Sequence, residues 1–436
     1  MSATTSTLKP SAGGGAREDR PAFVRLGASI APWLLAALAF GAAPFLFSGG
    51  AALTMMSLIG IMIVFSLSYN MLLGETGMLS FGHAVYYGFG ALFSAHAMNA
   101  VAAGGLPIPL PAIPIVGGLA GLAFGIAFGW VSTRRGGTAF AMISLGLAEL
   151  VSSSANIFRS LFGGEEGIST DRSKLIRIFD LGFGPQIQVY YLVAAWCLLC
   201  MLAMYAIRRT PLGRMCNAVR ENAERVQFVG YDPQVVRFVA FCVSSFFAGI
   251  AGALAAINFE IVNGTYFGAA QSGIVLLAAF IGGTGHFVGP VIGAVVVTWL
   301  QVMLSDVTPI WQLYFGLLFI VIVLFAPGGI ASLAALHGPL LRGGRFGRVA
   351  PAYLLTIAAG LLTVAGAVAA IEMTNRLLAH AQEGSAMRLL FVRVDAASAT
   401  SWLGAAALVV VGALLFRRSF PRVAAAWQAG SVEGRR

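Results

Sequence analysis

Apolar residues occur along this chain in long runs, and the polar stretches between them carry nearly all of the charge. Runs of spanning length cover 29–47, 53–73, 79–99, 112–131, 138–158, 189–207, 235–257, 268–284, 286–303, 310–326, 351–371 and 402–416. A helix rises about 1.5 Å per residue and a bilayer core is about 30 Å thick, so roughly 20 apolar residues make one crossing. The pattern predicts an all-α polytopic membrane protein with twelve candidate spans. The run 402–416 is short, and a glycine turn inside 268–303 is compatible with two spans or with a re-entrant hairpin. Residues 1–28 read as a disordered tail, 29–330 as the main membrane body, and 331–436 as an extension holding the last two runs.

Composition narrows the class. Of 436 residues, 58% are hydrophobic and 10% charged, with a mean hydropathy of +0.85. A soluble domain carries about 25% charged residues, so a soluble enzyme is excluded. The 54 glycines suit helices that attract through close backbone contact. The formal charge of +10 comes from basic blocks between apolar runs, which points to membrane orientation and not to nucleic acid. If all twelve runs cross and the N-terminus is cytoplasmic, 20 of the 27 basic residues fall inside. That predicts cytoplasmic termini on both sides of the chain and a retained anchor at 29–47. The remaining seven lie in two long outer loops, 159–188 and 372–401, readable as a partner surface or as plain solvated loops. Cys197, Cys200 and Cys242 fall in apolar runs and Cys216 stands alone, so neither a disulfide framework nor a metal cluster is indicated.

The polar stretch 208–237 carries the most information. Thr210-Pro211 is a helix start, Gly230 a stop, and Asp232-Pro233 a second start, which predicts a helix of about four turns over 211–230. Leu212, Met215, Cys216, Val219, Ala223 and Val226 recur at helical spacing, and Arg220 with Glu224 and Glu221 with Arg225 form i,i+4 pairs opposite them. A basic amphipathic helix often lies on an anionic leaflet. The interleaved acids Glu221, Glu224 and Asp232 favour docking into a protein groove, which tolerates both signs of charge.

In this stretch Arg-Thr-Pro-Leu-Gly-Arg at 209–214, Ala-Val-Arg-Glu-Asn at 218–222 and Gly230, followed by Phe-Ala-Gly-Ile-Ala-Gly-Ala-Leu at 247–254, resemble the inner-membrane permeases of branched-chain amino acid ABC importers. Gly-Glu-Thr-Gly-Met-Leu-Ser-Phe-Gly-His-Ala at 74–84 and Gly-Gly-Thr-Gly-His-Phe-Val-Gly-Pro-Val-Ile-Gly-Ala at 282–294 are similar to the family's early and late motifs, as are 135–141 and 326–330. The resemblance runs from about residue 50 to 330. It implies an importer permease bundle of about ten transmembrane helices, here with an appended C-terminal pair. It also implies two cytoplasmic ATPase subunits, a second permease subunit and a periplasmic substrate-binding protein as partners. Segment 211–230 then becomes a coupling helix, with Arg214, Arg220, Glu221, Asn222, Glu224 and Gly230 as its docking residues. The family gives no role for 331–436.

No P-loop pattern surrounds either lysine, Lys9 or Lys174, so the chain is read as a non-enzyme with no cofactor, and energy must come from another subunit. Ser80, His83, Tyr87 and Ser94 are expected on one face of a helix over 79–99, either along a substrate path or as packing residues. Glu149 lies inside the run 138–158, where an ionisable group costs ~2.5–3.5 kcal/mol, so it is expected to face helices or water as a pathway or structural carboxylate. The turns 74–77 and 282–285 share Gly-x-Thr-Gly, by duplication or by chance. The competing function is a secondary carrier driven by an ion gradient, which suits the span count but lacks an evident intramembrane relay.

Overall fold

The computed structural model describes residues 22–47, 49–174, 182–326, 328–342, 346–379, 385–389 and 392–432. Most of the expected tail therefore lies outside the described residues, but α1 (Ala22–Leu46) begins inside the range read as disordered. The helices that follow are α2 (Gly50–Thr76), α3 (Ala84–Ala102), α4 (Ile113–Ser132), α5 (Thr138–Ile157), α6 (Arg159–Phe162), α7 (Gln186–Arg209), α8 (Pro211–Glu221), α9 (Ala223–Phe228) and α10 (Pro233–Phe259). After them come α11 (Ala269–Gly282), α12 (Val288–Val307), α13 (Trp311–Phe325), α14 (Gly329–Arg342), α15 (Phe346–Ala379) and α16 (Ala399–Val432). Two antiparallel pairs complete the described elements: β1 (Ile168–Ser169) on β2 (Ile261–Val262), and β3 (Ala386–Leu389) on β4 (Val392–Asp395). The chain divides into two compact units, Met1–Ser332 and Leu333–Arg436.

Among the described residues, nine helical stretches are long and apolar enough to cross a bilayer. Three of the twelve expected spans differ. The apolar part of α1, Ala31–Leu46, and the whole of α11 are shorter than a crossing. The third, α3, begins only at Ala84 and carries Tyr86, Tyr87, His96 and Asn99 among its 19 residues, which dilutes its apolarity. Its place explains this: α3 lies against α4 and α10 and is buried along most of its length, so neighbouring helices replace lipid. The glycine turn in 268–303 therefore joins a half-length helix to a full-length one.

The central packing is built on backbone contact. Gly117, Gly121, Gly125 and Gly129 line one face of α4 at four-residue spacing and meet Gly249, Ser245 and Phe241 of α10. A Cβ on Gly252 of α10 would collide with the Tyr87 carbonyl oxygen, so α3 and α10 touch main chain to main chain. In the second unit α15 and α16 pack as a helical hairpin, with Gly366 and Gly412 at the close approaches and the β3–β4 pair between the helices in sequence.

Candidate functional site

The stretch between α7 and α10 is an elbow, not the single helix expected. α8 ends at Glu221, Asn222 adopts extended backbone (φ −160°, ψ 103°), and its side chain accepts a hydrogen bond from the Arg225 N–H at 2.9 Å, capping α9. The break separates Arg220 from Glu224 and Glu221 from Arg225, and neither expected i,i+4 ion pair forms. Other local signals act as read: Pro211 opens α8, Gly230 takes φ 91° after α9, and the Asp232 side chain caps α10 through the Gln234 N–H at 2.8 Å. The apolar stripe also holds, with Cys216, Val219 and Val226 buried against Val236 and Ala240, and Leu212, Met215, Ala218 and Ala223 beside them. Burial there pushes the Cys216 thiol up to about 12, with the Glu75 carboxylate adding to the shift, so this cysteine stays protonated.

Arg214, Arg220, Glu221, Asn222, Glu224 and Gly230 are all exposed, although the Arg220 side chain turns back toward the end of α2. Glu221, Asn222 and Arg225 also border a notch of 130 Å³ with Met215, Ala218, Val226, Val229 and Tyr231. Phe228 projects from the end of α9 at 90% exposure, with Val229 and Tyr231 beside it. This apolar knob escaped the sequence reading because it lies off the periodic stripe.

Behind the elbow, the last turn of α2 supplies the polar contacts. Glu75, 7% exposed, takes Arg208 Nε at 2.8 Å on one oxygen and the Asn217 side-chain amide at 2.8 Å on the other. The Arg220 guanidinium donates to the Gly74 carbonyl. Gly77 caps α2 at φ 71°, a backbone conformation that favours glycine, and a Cβ there would sit 3.3 Å from Arg220 Cγ. A Cβ on Gly74 would lie 2.7 Å from the Thr284 carbonyl oxygen, so the two Gly-x-Thr-Gly turns sit together.

The turn leads into 78–83, which is non-helical and largely buried. Ser80 and His83 therefore precede α3 and do not share a helix face with Tyr87 and Ser94, although all four are buried. Backbone groups of the segment and of the first residue of α3 are met by side chains from three helices. Tyr69 Oη of α2 donates to the Ser80 carbonyl at 3.0 Å, the Phe81 N–H donates to Ser144 Oγ of α5 at 3.0 Å, and the Ala84 N–H donates to Ser272 Oγ of α11 at 3.0 Å. His83 Nε2 lies 3.0 Å from Ser68 Oγ, and its ring stacks on Phe65. Glu149 stands apart. The buried face of α5 carries Ala141, Ser144, Ala148, Val151 and Ala155, and Glu149 points away from it with Met142 and Leu150, exposed. Among the described residues of the first unit, no helix covers it.

At the opposite end of the unit, Arg172 fastens the loop after α6. Its guanidinium donates to the Ile257, Asn258 and Gly184 carbonyls and to Gln186 Oε1 at 3.1–3.3 Å, and its N–H donates to Glu260 Oε1 at 2.9 Å. Gln186 in turn donates to Asn258 Oδ1 at 2.8 Å. The first of the two long loops, 159–188, is thus pinned over the described part of its length.

A family model described as "Branched-chain amino acid transport system / permease component" matches residues 51–327, which bracket the elbow, the α2 turn and segment 78–83. The chain belongs to this family. It is 28% identical over 315 residues to the high-affinity branched-chain amino acid transport system permease protein LivM of Escherichia coli K12, covering 66% of this chain and 72% of that protein. It is also similar to the permease LivH of Salmonella typhimurium, at 23% over 248 residues, covering 53% of this chain and 77% of LivH. The fructose import permease FruF of Bifidobacterium longum matches at 26% over 202 residues, covering 44% of this chain and 53% of FruF. No solved structure gives a significant match. With nine apolar helices and this family, the permease is a multi-pass membrane protein.

Proposed function

We propose that the chain is a transmembrane permease subunit of an ATP-binding-cassette importer in the bacterial inner membrane, with both termini in the cytoplasm. It forms half of the translocation pathway and hydrolyses no ATP itself. The observation that carries this reading is the α8–α9 elbow: a two-sided cap, apolar toward the bundle and displaying Arg214, Glu221, Glu224, Arg225 and the Phe228 knob outward. A surface with both charge signs around an exposed aromatic suits a protein groove, where a central aromatic supplies most of the binding energy.

The groove belongs to one of two cytoplasmic ATPase subunits, whose closure pushes the elbow. A second permease, of the kind LivH represents among the relatives, completes the pathway, and a periplasmic binding protein delivers the cargo. The cargo is a branched-chain amino acid or a related small metabolite, a class drawn from the names of the LivM relatives. The similarity to a fructose import permease supports reading the cargo as set by more than the shared architecture. Glu149 lies on the face of α5 that we assign to the sister permease and the pathway. Ser80, His83 and Tyr87 support that wall from within the core.

Co-purification and uptake test the reading. The wild-type chain, expressed with its neighbouring genes, is expected to retain ATPase subunits and to drive ATP-dependent leucine uptake in vesicles. Phe228→Asp and Glu221→Arg are each expected to weaken ATPase retention about tenfold or more while the chain still inserts. Uptake by the lone chain under an ion gradient would establish a secondary carrier instead.

A further inference from the structure

Glu75 occupies a position that ordinarily repels it. The C-terminal end of a helix carries partial negative charge, and Glu75 sits in the last turn of α2, buried. A carboxylate persists there only with strong partners, and its two oxygens are divided between two elements. Arg208 reaches it from the last turn of α7 at 2.8 Å, and Asn217 from the middle of α8 at 2.8 Å. The bend between α7 and α8 is thereby tied to α2 on both sides. The Arg220 guanidinium adds a third tie to the Gly74 carbonyl.

The remaining contact of α8 with the bundle is apolar, through Cys216 and Val219 against Val236 and Ala240. Apolar contact is non-directional and lets surfaces slide, whereas charge-assisted hydrogen bonds fix position. Downstream, α2 passes through Gly77 straight into 78–83, which is fastened to Tyr69, Ser144 and Ser272. Ser68, beside His83, accepts in turn at its carbonyl from Ser244 Oγ of α10 at 2.6 Å. A displacement of α8 thus reaches α2, α5, α10 and α11 through one buried turn.

We propose that Glu75 is the positioning residue that transmits movement of the α8–α9 elbow to the membrane core through the 74–83 segment. The proposal rests on the reading of the elbow as the ATPase-docking element.

The test uses the complete complex in liposomes of phosphatidylethanolamine and phosphatidylglycerol, with radiolabelled leucine as the probe. Two quantities are read: ATPase retained per permease, and leucine moved per ATP hydrolysed. Glu75→Gln preserves volume but removes the charge facing Arg208. It is expected to retain the ATPases and their hydrolysis while leucine moved per ATP falls about tenfold, the consequence of losing one charge-assisted contact. Asn217→Ala, which leaves the Glu75–Arg208 pair intact, is expected to lower the same ratio by a smaller factor, and it decides the matter if the Gln variant does not insert. An unchanged ratio in the variant that assembles overturns the proposal. So does loss of the ATPases from Glu75→Gln, since that would make Glu75 a prop for the docking surface alone. Failure of the wild-type chain to retain ATPase refutes the docking reading itself and is seen before any variant is compared.

Discussion

A methyl group is enough to probe how this bundle is held. Gly252 faces the Tyr87 carbonyl and the Ala91 backbone so closely that Gly252→Ala must push α3 and α10 apart. Overpacking of this kind costs about 1–3 kcal/mol, so a lower melting temperature in detergent is expected, while Gly146→Ala on open α5 surface should not lower it. Arg172→Met is expected to strand the Ile257 and Asn258 carbonyls at about 1–3 kcal/mol, read as faster protease cleavage within 159–174. At this scale the sequence reading was weakest. Glu75 is one of only two acids between Ser29 and Phe158, a signal that was available, but its partner Asn217 lies 142 positions away and no local pattern connects them.

Elements were legible where their signals are local. Pro211, Gly230 and Asp232-Pro233 act through their own backbone, so the edges of the elbow followed from a few residues. The break inside it did not, because Val219, Ala223 and Val226 keep helical spacing across Asn222. Asn222→Ala is expected to cost α9 about 1 kcal/mol, visible as faster hydrogen exchange over Ala223–Phe228 with α8 unaffected. The start of α3 was misplaced for a related reason: 78–83 is apolar and buried, yet its hydrogen bonds go to side chains of other helices, which periodicity cannot register. In the loop after α6, hydrogen bonds from Ser173 and then Lys174 hold the Asp171 carboxyl below its ordinary 3.8. A depressed folded value stabilises the loop above the unfolded one and loses that contribution as pH falls through the folded one. Protease sensitivity of 159–174 should therefore rise on acidification below about pH 4 and not on alkalinisation.

For the whole molecule, the alternation of apolar runs and basic blocks was sufficient to read the class, and the family match over 51–327 agrees with it. Among the described residues α3 falls short of the apolarity of a lipid-facing span because it is enclosed by other helices, a distinction that the length of an apolar run does not carry. The division at Ser332 and Leu333 leads to a further expectation: a chain ending at Ser332 should insert and give the same elbow proteolysis pattern as the full chain. Glu149 has a consequence at this scale too. A carboxyl side chain left among acyl tails would be a defect worth ~2.5–3.5 kcal/mol, which a companion subunit would cover. A copy synthesised without that companion is therefore expected to be cleared faster in a pulse-chase measurement, the cell's stock of this polypeptide following the supply of whatever shields that one carboxyl group.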